Sequence, residues 1–196
     1  MLKTIMNNPV QRKSYLQIHV PLDRRAQWYQ DLKKALNDVK DLRWQNGFFH
    51  ITAAFINDEV DSAEADKVSK VIDEELHNMS APLICFDSLK AFTTQGGGAH
   101  VVYLAASKVP GGLSDLVYKV RERLEDCGYH LGPYQLHVTL ARIPSKSIKL
   151  ETLRRRLQGI DAPVLPKVLK RADYRFYKEF SRTVREWEFP ELTTLK

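Results

Sequence analysis

The stretch Gln135-Leu136-His137-Val138-Thr139-Leu140-Ala141-Arg142 has an earlier echo in Phe48-Phe49-His50-Ile51-Thr52-Ala53-Ala54-Phe55. In both, a histidine and a threonine stand two residues apart among apolar neighbours. Strand side chains alternate between faces, so His50 and Thr52 point one way while Ile51, Ala53 and Phe55 point the other. In the second copy His137 and Thr139 share a face, opposite Leu136, Val138 and Leu140. Arg142 is a candidate to reach a phosphate, although the same alternation sets it on the face opposite His137 unless the strand ends early. A chain that repeats this pattern builds two strands, each with an apolar side for a core and a polar side for a groove.

The frame around each copy is repeated too. Tyr15 to Val20 alternates as a strand and is closed by Pro21. Asp23 stands where it can cap a helix that carries Tyr29, Leu32, Leu36 and Val39 on one stripe. The His50 strand follows the turn signal Asn46-Gly47. Residues 101–142 show the same order: a strand, a helix with Leu113, Leu116, Val120 and Leu124 on one face and a stop at Gly128, then the His137 strand. Segments 15–56 and 101–142 therefore read as pseudo-repeats, alike in pattern rather than in residues.

Between them the spacing predicts a helix over 62–78, with Asp61 and Glu64 placed as a capping box, and a strand over 82–92. Gly96-Gly97-Gly98 reads as a hairpin turn and not as a phosphate loop, since no Gly-Lys-Ser/Thr follows. A basic helix over 148–158 and short strands near 164–169 and 183–189 complete the chain. The expected class is α+β: two pseudo-symmetric lobes with antiparallel sheets around a central groove, helices on the outside. Residues 1–13 read as a flexible N-terminus and 14–196 as a single bilobed domain.

A chain of 196 residues is long enough to bury a sizeable core. Its net charge of +6 leans towards an acidic partner such as RNA or a nucleotide. No run approaches the ~18–20 apolar residues of a membrane span, and the first residues lack the apolar stretch of a secretory signal. Cys85 and Cys127 read as buried free thiols of a reducing compartment. The expectation is a cytoplasmic monomer with no membrane partner.

Two histidines across a groove suit general acid–base chemistry at a phosphate. A neutral imidazole takes a proton from the attacking oxygen and an imidazolium protonates the leaving one; both forms exist near neutral pH. Thr52 and Thr139 can donate hydrogen bonds to phosphate oxygens. No metal or cofactor is expected, because no cysteine or carboxylate sits at ligand spacing near either motif. Tyr134 and Phe92 are candidates to stack a base, and Trp44 either joins them or the core. His19 and His100 read as packing or edge residues, and His77 and His130 as exposed. Arg154, Arg155 and Arg156 read as a solvated face.

His50-Ile51-Thr52-Ala53 and His137-Val138-Thr139-Leu140 resemble the paired H-x-T-x motifs of the 2H phosphoesterase superfamily. The resemblance is greatest to its 2′-5′ RNA ligase / RNA 2′,3′-cyclic phosphodiesterase (LigT-like) group. It extends to Tyr15–Leu22, to Phe92, to Val101–Leu104, to Ala141-Arg142 and to the last strand before Trp187-Glu188-Phe189, covering most of residues 14–190. Gln135-Leu136 depart from it, many relatives having a proline there. The resemblance implies that His50 gives the proton to the leaving oxygen, that His137 activates water, and that Thr52 and Thr139 hold the phosphate. It further implies metal-independent opening of 2′,3′-cyclic phosphates to 2′-phosphates on RNA ends or nucleotides. Hydrolysis or reversible ligation of 2′-5′ linkages is the alternative reaction, and a non-catalytic RNA-binding module the alternative of another class. ATP-driven ligation is disfavoured by the absence of a Lys-x-Asp-Gly signature.

Overall fold

The structure is a computed structural model that describes residues 12–77, 79–161, 163–177 and 182–190. Strand β1 (Arg12–His19) turns Leu16 and Ile18 into the core. It begins two residues earlier than the expected domain boundary; the rest of the N-terminal segment read as flexible lies outside the described residues. Helix α1 (Gln27–Ala35) buries Tyr29 and Leu32. Asp23 does not cap it, because its carboxylate accepts from the Arg25 backbone N–H in a preceding turn and Ala26 holds the cap position. Strand β2 (Arg43–Trp44) precedes β3 (His50–Val60). In α2 (Ser62–Leu76) the Asp61 carboxylate does cap, accepting from the Glu64 N–H at 2.9 Å.

The apolar run over 82–92 forms two strands rather than one, β4 (Leu83–Phe86) and β5 (Ser88–Thr93). Asp87 breaks it: its N–H donates to the Ala105 carbonyl and its carboxylate accepts from the Ser107 N–H at 3.1 Å. Strand β5 turns through Gly96 and Gly97, at φ 91° and 74°, into β6 (Ala99–Ala105), the hairpin that the glycine run predicts. Helix α3 (Gly111–Asp126), β7 (Val138–Pro144) and α4 (Leu150–Gln158) follow. The chain continues through β8 (Leu165–Val168), β9 (Arg171–Phe176) and β10 (Thr183–Glu188). Strand β9 is an addition to the sequence expectation. Its signal is the alternation of Arg171, Asp173 and Arg175 with the buried Ala172, Tyr174 and Phe176.

Among the described residues all strand pairs are antiparallel. The main sheet runs β10-β9-β1-β3-β7-β6-β5, with β2 beside β7, while β4 and β8 form a small sheet of their own. Leu16, Ile51, Val102 and Val138 from one face of the main sheet share a buried cluster with Leu32, Ile72, Val117 and Leu153 from helices α1, α2, α3 and α4. The helices thus lie outside on that face and leave the other open. The architecture is the expected α+β one with antiparallel sheets. Cys85 is half-buried and Cys127 is exposed, the latter against expectation because it sits at the C-terminal cap of α3. Among the described residues no helix is long and apolar enough to cross a membrane.

Candidate active site

His50 opens β3 beside His19 of β1, and His137 immediately precedes β7. Each ring makes the same local hydrogen bond. Nδ1 of His50 donates to the Phe48 carbonyl at 3.0 Å, and Nδ1 of His137 donates to the Gln135 carbonyl at 2.8 Å. A carbonyl only accepts, so Nδ1 carries the proton in both rings and Nε2 is left as the working nitrogen.

Between the two halves of the sheet lies a cavity of about 570 Å3, lined by His50, Thr52, His137 and Thr139 and also by Phe92, Tyr134 and Arg142. The four motif residues and Phe92, Tyr134 and Arg142 therefore line one cavity, whereas Trp44 does not. Neither threonine hydroxyl has a hydrogen-bond partner among the described residues. Tyr15, Gln45, Phe55, Arg121 and Tyr177 line it as well. Among the described residues no group of three or more His, Cys, Asp or Glu side chains could hold a metal ion.

Arg142 and Phe55 correct the sequence reading, and for the same reason. Along β7, Val102 pairs with Ala141 and Tyr103 with Thr139, so Leu140 is an extra residue without an opposite number. Along β3, Leu16 pairs with Ala54 and Gln17 with Thr52, so Ala53 is extra. Each is a β-bulge one residue past the threonine, and a bulge reverses the alternation beyond it. Arg142 and Phe55, each five residues after its histidine, are thereby brought onto the groove face.

Aromatic rings brace both histidines. His137 sits edge-on to Phe92 at 5.5 Å and to Tyr103 at 5.6 Å, while Tyr15 tilts against His50 at 6.1 Å and stacks on Phe55 at 6.3 Å. Tyr134 lies under Arg121, 5.7 Å from its guanidinium; burial pushes its phenol up to about 12, so it remains a donor, and its buried hydroxyl has no partner among the described residues.

Burial pulls both histidines below their usual value, because the charged form loses solvation. Their carbonyl bonds pull back in each case. The surroundings then differ. Asp173 also raises His50, ahead of the opposing His19 and Arg175, whereas Arg142 lowers His137 further. Asp173 is buried, which disfavours its charge, but hydrogen bonds from His19 and Gln17 and the charges of His19 and Arg175 more than offset that and hold it low. Its carboxylate lies 2.9 Å from His19 Nε2. Both rings are shifted towards the neutral form overall; the one carboxylate among their neighbours acts on His50, and the Arg142 guanidinium acts on His137.

The remaining candidates have other duties. His100 is buried, its Nε2 donating to the Ile148 carbonyl at 3.0 Å and its Nδ1 accepting from the Thr93 hydroxyl at 2.9 Å. His130 is exposed and pairs with Asp58 at 3.0 Å. Trp44 packs on Tyr29 against the core. The basic face of α4 is partly structural: Arg154 donates to the Ala91 carbonyl at 3.2 Å, and Arg156 grips the Asp38 carboxylate with both terminal nitrogens.

The fold is that of the LigT-like class of α+β structures. The chain is similar to E. coli LigT complexed with 3′-AMP, at 16% identity over 93% of this chain and 100% of that one, with a TM-score of 0.58. It is also similar to Kluyveromyces marxianus Usb1 with uridine monophosphate, at 11% identity over 88% of this chain and 98% of that one, with a TM-score of 0.59. At such identities the likeness is one of fold. No family model matches the sequence. No curated protein matches it either.

Proposed function

We propose that the chain is a 2H-type phosphodiesterase that opens a 2′,3′-cyclic phosphate to a 2′-phosphate without a metal. The observation that carries this is the matched pair of histidines, each with Nδ1 tied to a carbonyl two residues back, lining one cavity with two threonine hydroxyls that have no partner among the described residues. Nε2 of neutral His137 takes a proton from water as its oxygen bonds to phosphorus. The bond from phosphorus to the ribose 3′-oxygen breaks on the far side, and Nε2 of protonated His50 gives that oxygen its proton. The turnover ends with the proton on His137 rather than His50, and exchange with solvent restores both. Thr52 and Thr139 donate to the non-bridging oxygens, and Arg142 neutralises charge that builds there.

This division of roles rests on the electrostatics as well as on the motif. The anion, Asp173, favours charge on the proposed acid, and the cation, Arg142, favours neutrality at the proposed base. The fold likeness to structures solved with 3′-AMP and uridine monophosphate supports a nucleotide in the groove. The test is product identity. Phosphorus NMR of the reaction with cyclic 2′,3′-AMP is expected to show adenosine 2′-phosphate as the product. Adenosine 3′-phosphate, or turnover of 2′-5′ dinucleotides alone, would overturn the assignment.

A further inference from the structure

Beyond His50 a second cavity opens, about 600 Å3, lined by His19, Phe48, Lys167, Val168, Lys170 and Arg171 with several neighbours. No lining residue is common to the two, and they adjoin where His19 of this cavity stands next to His50 of the first. His19 pairs with His50 across β1 and β3, and its ring stacks on Phe48 at 5.0 Å with 29° between planes. Phe48 is 65% exposed although Phe49, next to it, is only 3% exposed. Lys167 has no carboxylate partner among the described residues. Arg171 holds Glu186, so its charge is partly answered. An open aromatic ring beside a free cation is the composition that single-stranded nucleic acid takes, bases stacking and phosphates meeting positive charge.

The proposed reaction indicates which part of a substrate this cavity meets. In-line opening sets water and the leaving oxygen on opposite sides of phosphorus. The leaving oxygen belongs to the terminal ribose, whose 5′ side continues into the RNA chain. His50 protonates that oxygen, so the chain runs out of the groove on the side of His50, where the second cavity lies. We infer that the cavity between Phe48 and Lys167 binds the nucleotide preceding the reacting one, its base on the Phe48 ring and its phosphate at Lys167. Such a subsite favours the 3′ end of an RNA chain over a free cyclic nucleotide by the affinity of one further residue. The direction of the chain rests on the acid role of His50; the cavity does not.

Binding of a reaction product tests this without turnover. Affinities are measured by calorimetry for adenosine 2′-phosphate and for a trinucleotide ending in a 2′-phosphate. The trinucleotide is expected to bind at least about 10-fold more tightly, the scale of one stacked base. Lys167→Glu is expected to remove most of that gain while leaving the mononucleotide affinity unchanged, and Phe48→Ala to reduce the gain as well. Equal affinity for the two ligands, or a gain that survives both substitutions, overturns the inference. A length-dependent gain in a protein that turns over no cyclic phosphate overturns the hydrolase reading instead and leaves the cavity as an RNA subsite.

Discussion

Ile51 of β3 and Val138 of β7 face each other where the two halves of the sheet meet, and each is the residue between a histidine and its threonine. The strands are antiparallel, so this register sets His50 towards Thr139 and Thr52 towards His137. The histidines occupy diagonal corners. In a regular antiparallel ladder such diagonal neighbours are about 7–8 Å apart, a span that a phosphate group fits. The apolar residues between them thus set the separation of the two imidazoles.

Both junction residues are fully buried. Ile51→Ala is expected to cost about 2–4 kcal/mol of stability, read from the midpoint of denaturant unfolding, through lost burial and the cavity left behind. Turnover measured where the variant is still folded is expected to fall too, because the two strands lose their register. An unchanged midpoint would contradict the junction's role.

Arg142 reaches the groove only through the bulge at Leu140, and it lowers the His137 pKa. Arg142→Gln is therefore expected to let that pKa rise, moving the acidic limb of the kcat/KM profile to higher pH. A loss of roughly 10- to 100-fold in kcat/KM is expected to accompany it, the scale of one lost electrostatic donor. A limb that stays in place would show that Arg142 does not face the base.

The opposite shift is expected on the His50 side. Asp173 raises His50, so Asp173→Asn lowers the pKa of the acid and moves the basic limb to lower pH. Because burial holds both histidines below 6.5 in the free protein, the kcat/KM optimum is expected on the acidic side of that value. A bound phosphate anion favours both imidazolium forms, so the optimum for kcat lies at higher pH than that for kcat/KM.

The threonines are separable from the histidines by substitution. Thr52→Val and Thr139→Val keep the shape but remove the hydroxyl, and each is expected to lower kcat by about 10- to 100-fold with little change in stability. Thr→Ser at either position is expected to restore most of the activity. Full activity in both valine variants would remove the hydroxyls from the mechanism.

The His-x-Thr pairs and the helical stripes were legible in the sequence because alternation and 3.6-residue periodicity are local. The bulges were not, since an extra residue at Ala53 or Leu140 is defined by what the neighbouring strand pairs with. Simple alternation therefore put Phe55 and Arg142 on the wrong face. Asp173 escaped for a different reason: its carboxylate meets His19 only when β9 pairs with β1, a contact between distant parts of the chain. Asp87 divides a run that is apolar in composition, and only its bonds to Ala105 and Ser107 show the break.

Hydrolysis of cyclic 2′,3′-AMP in the presence of a chelator, by the native protein and by His50→Ala and His137→Ala, tests the central claim most directly. Turnover is expected to survive chelation and to fall at least about 100-fold in each variant, with both variants unfolding like the native protein. Turnover that vanishes with the chelator, or that persists without either imidazole, would contradict it.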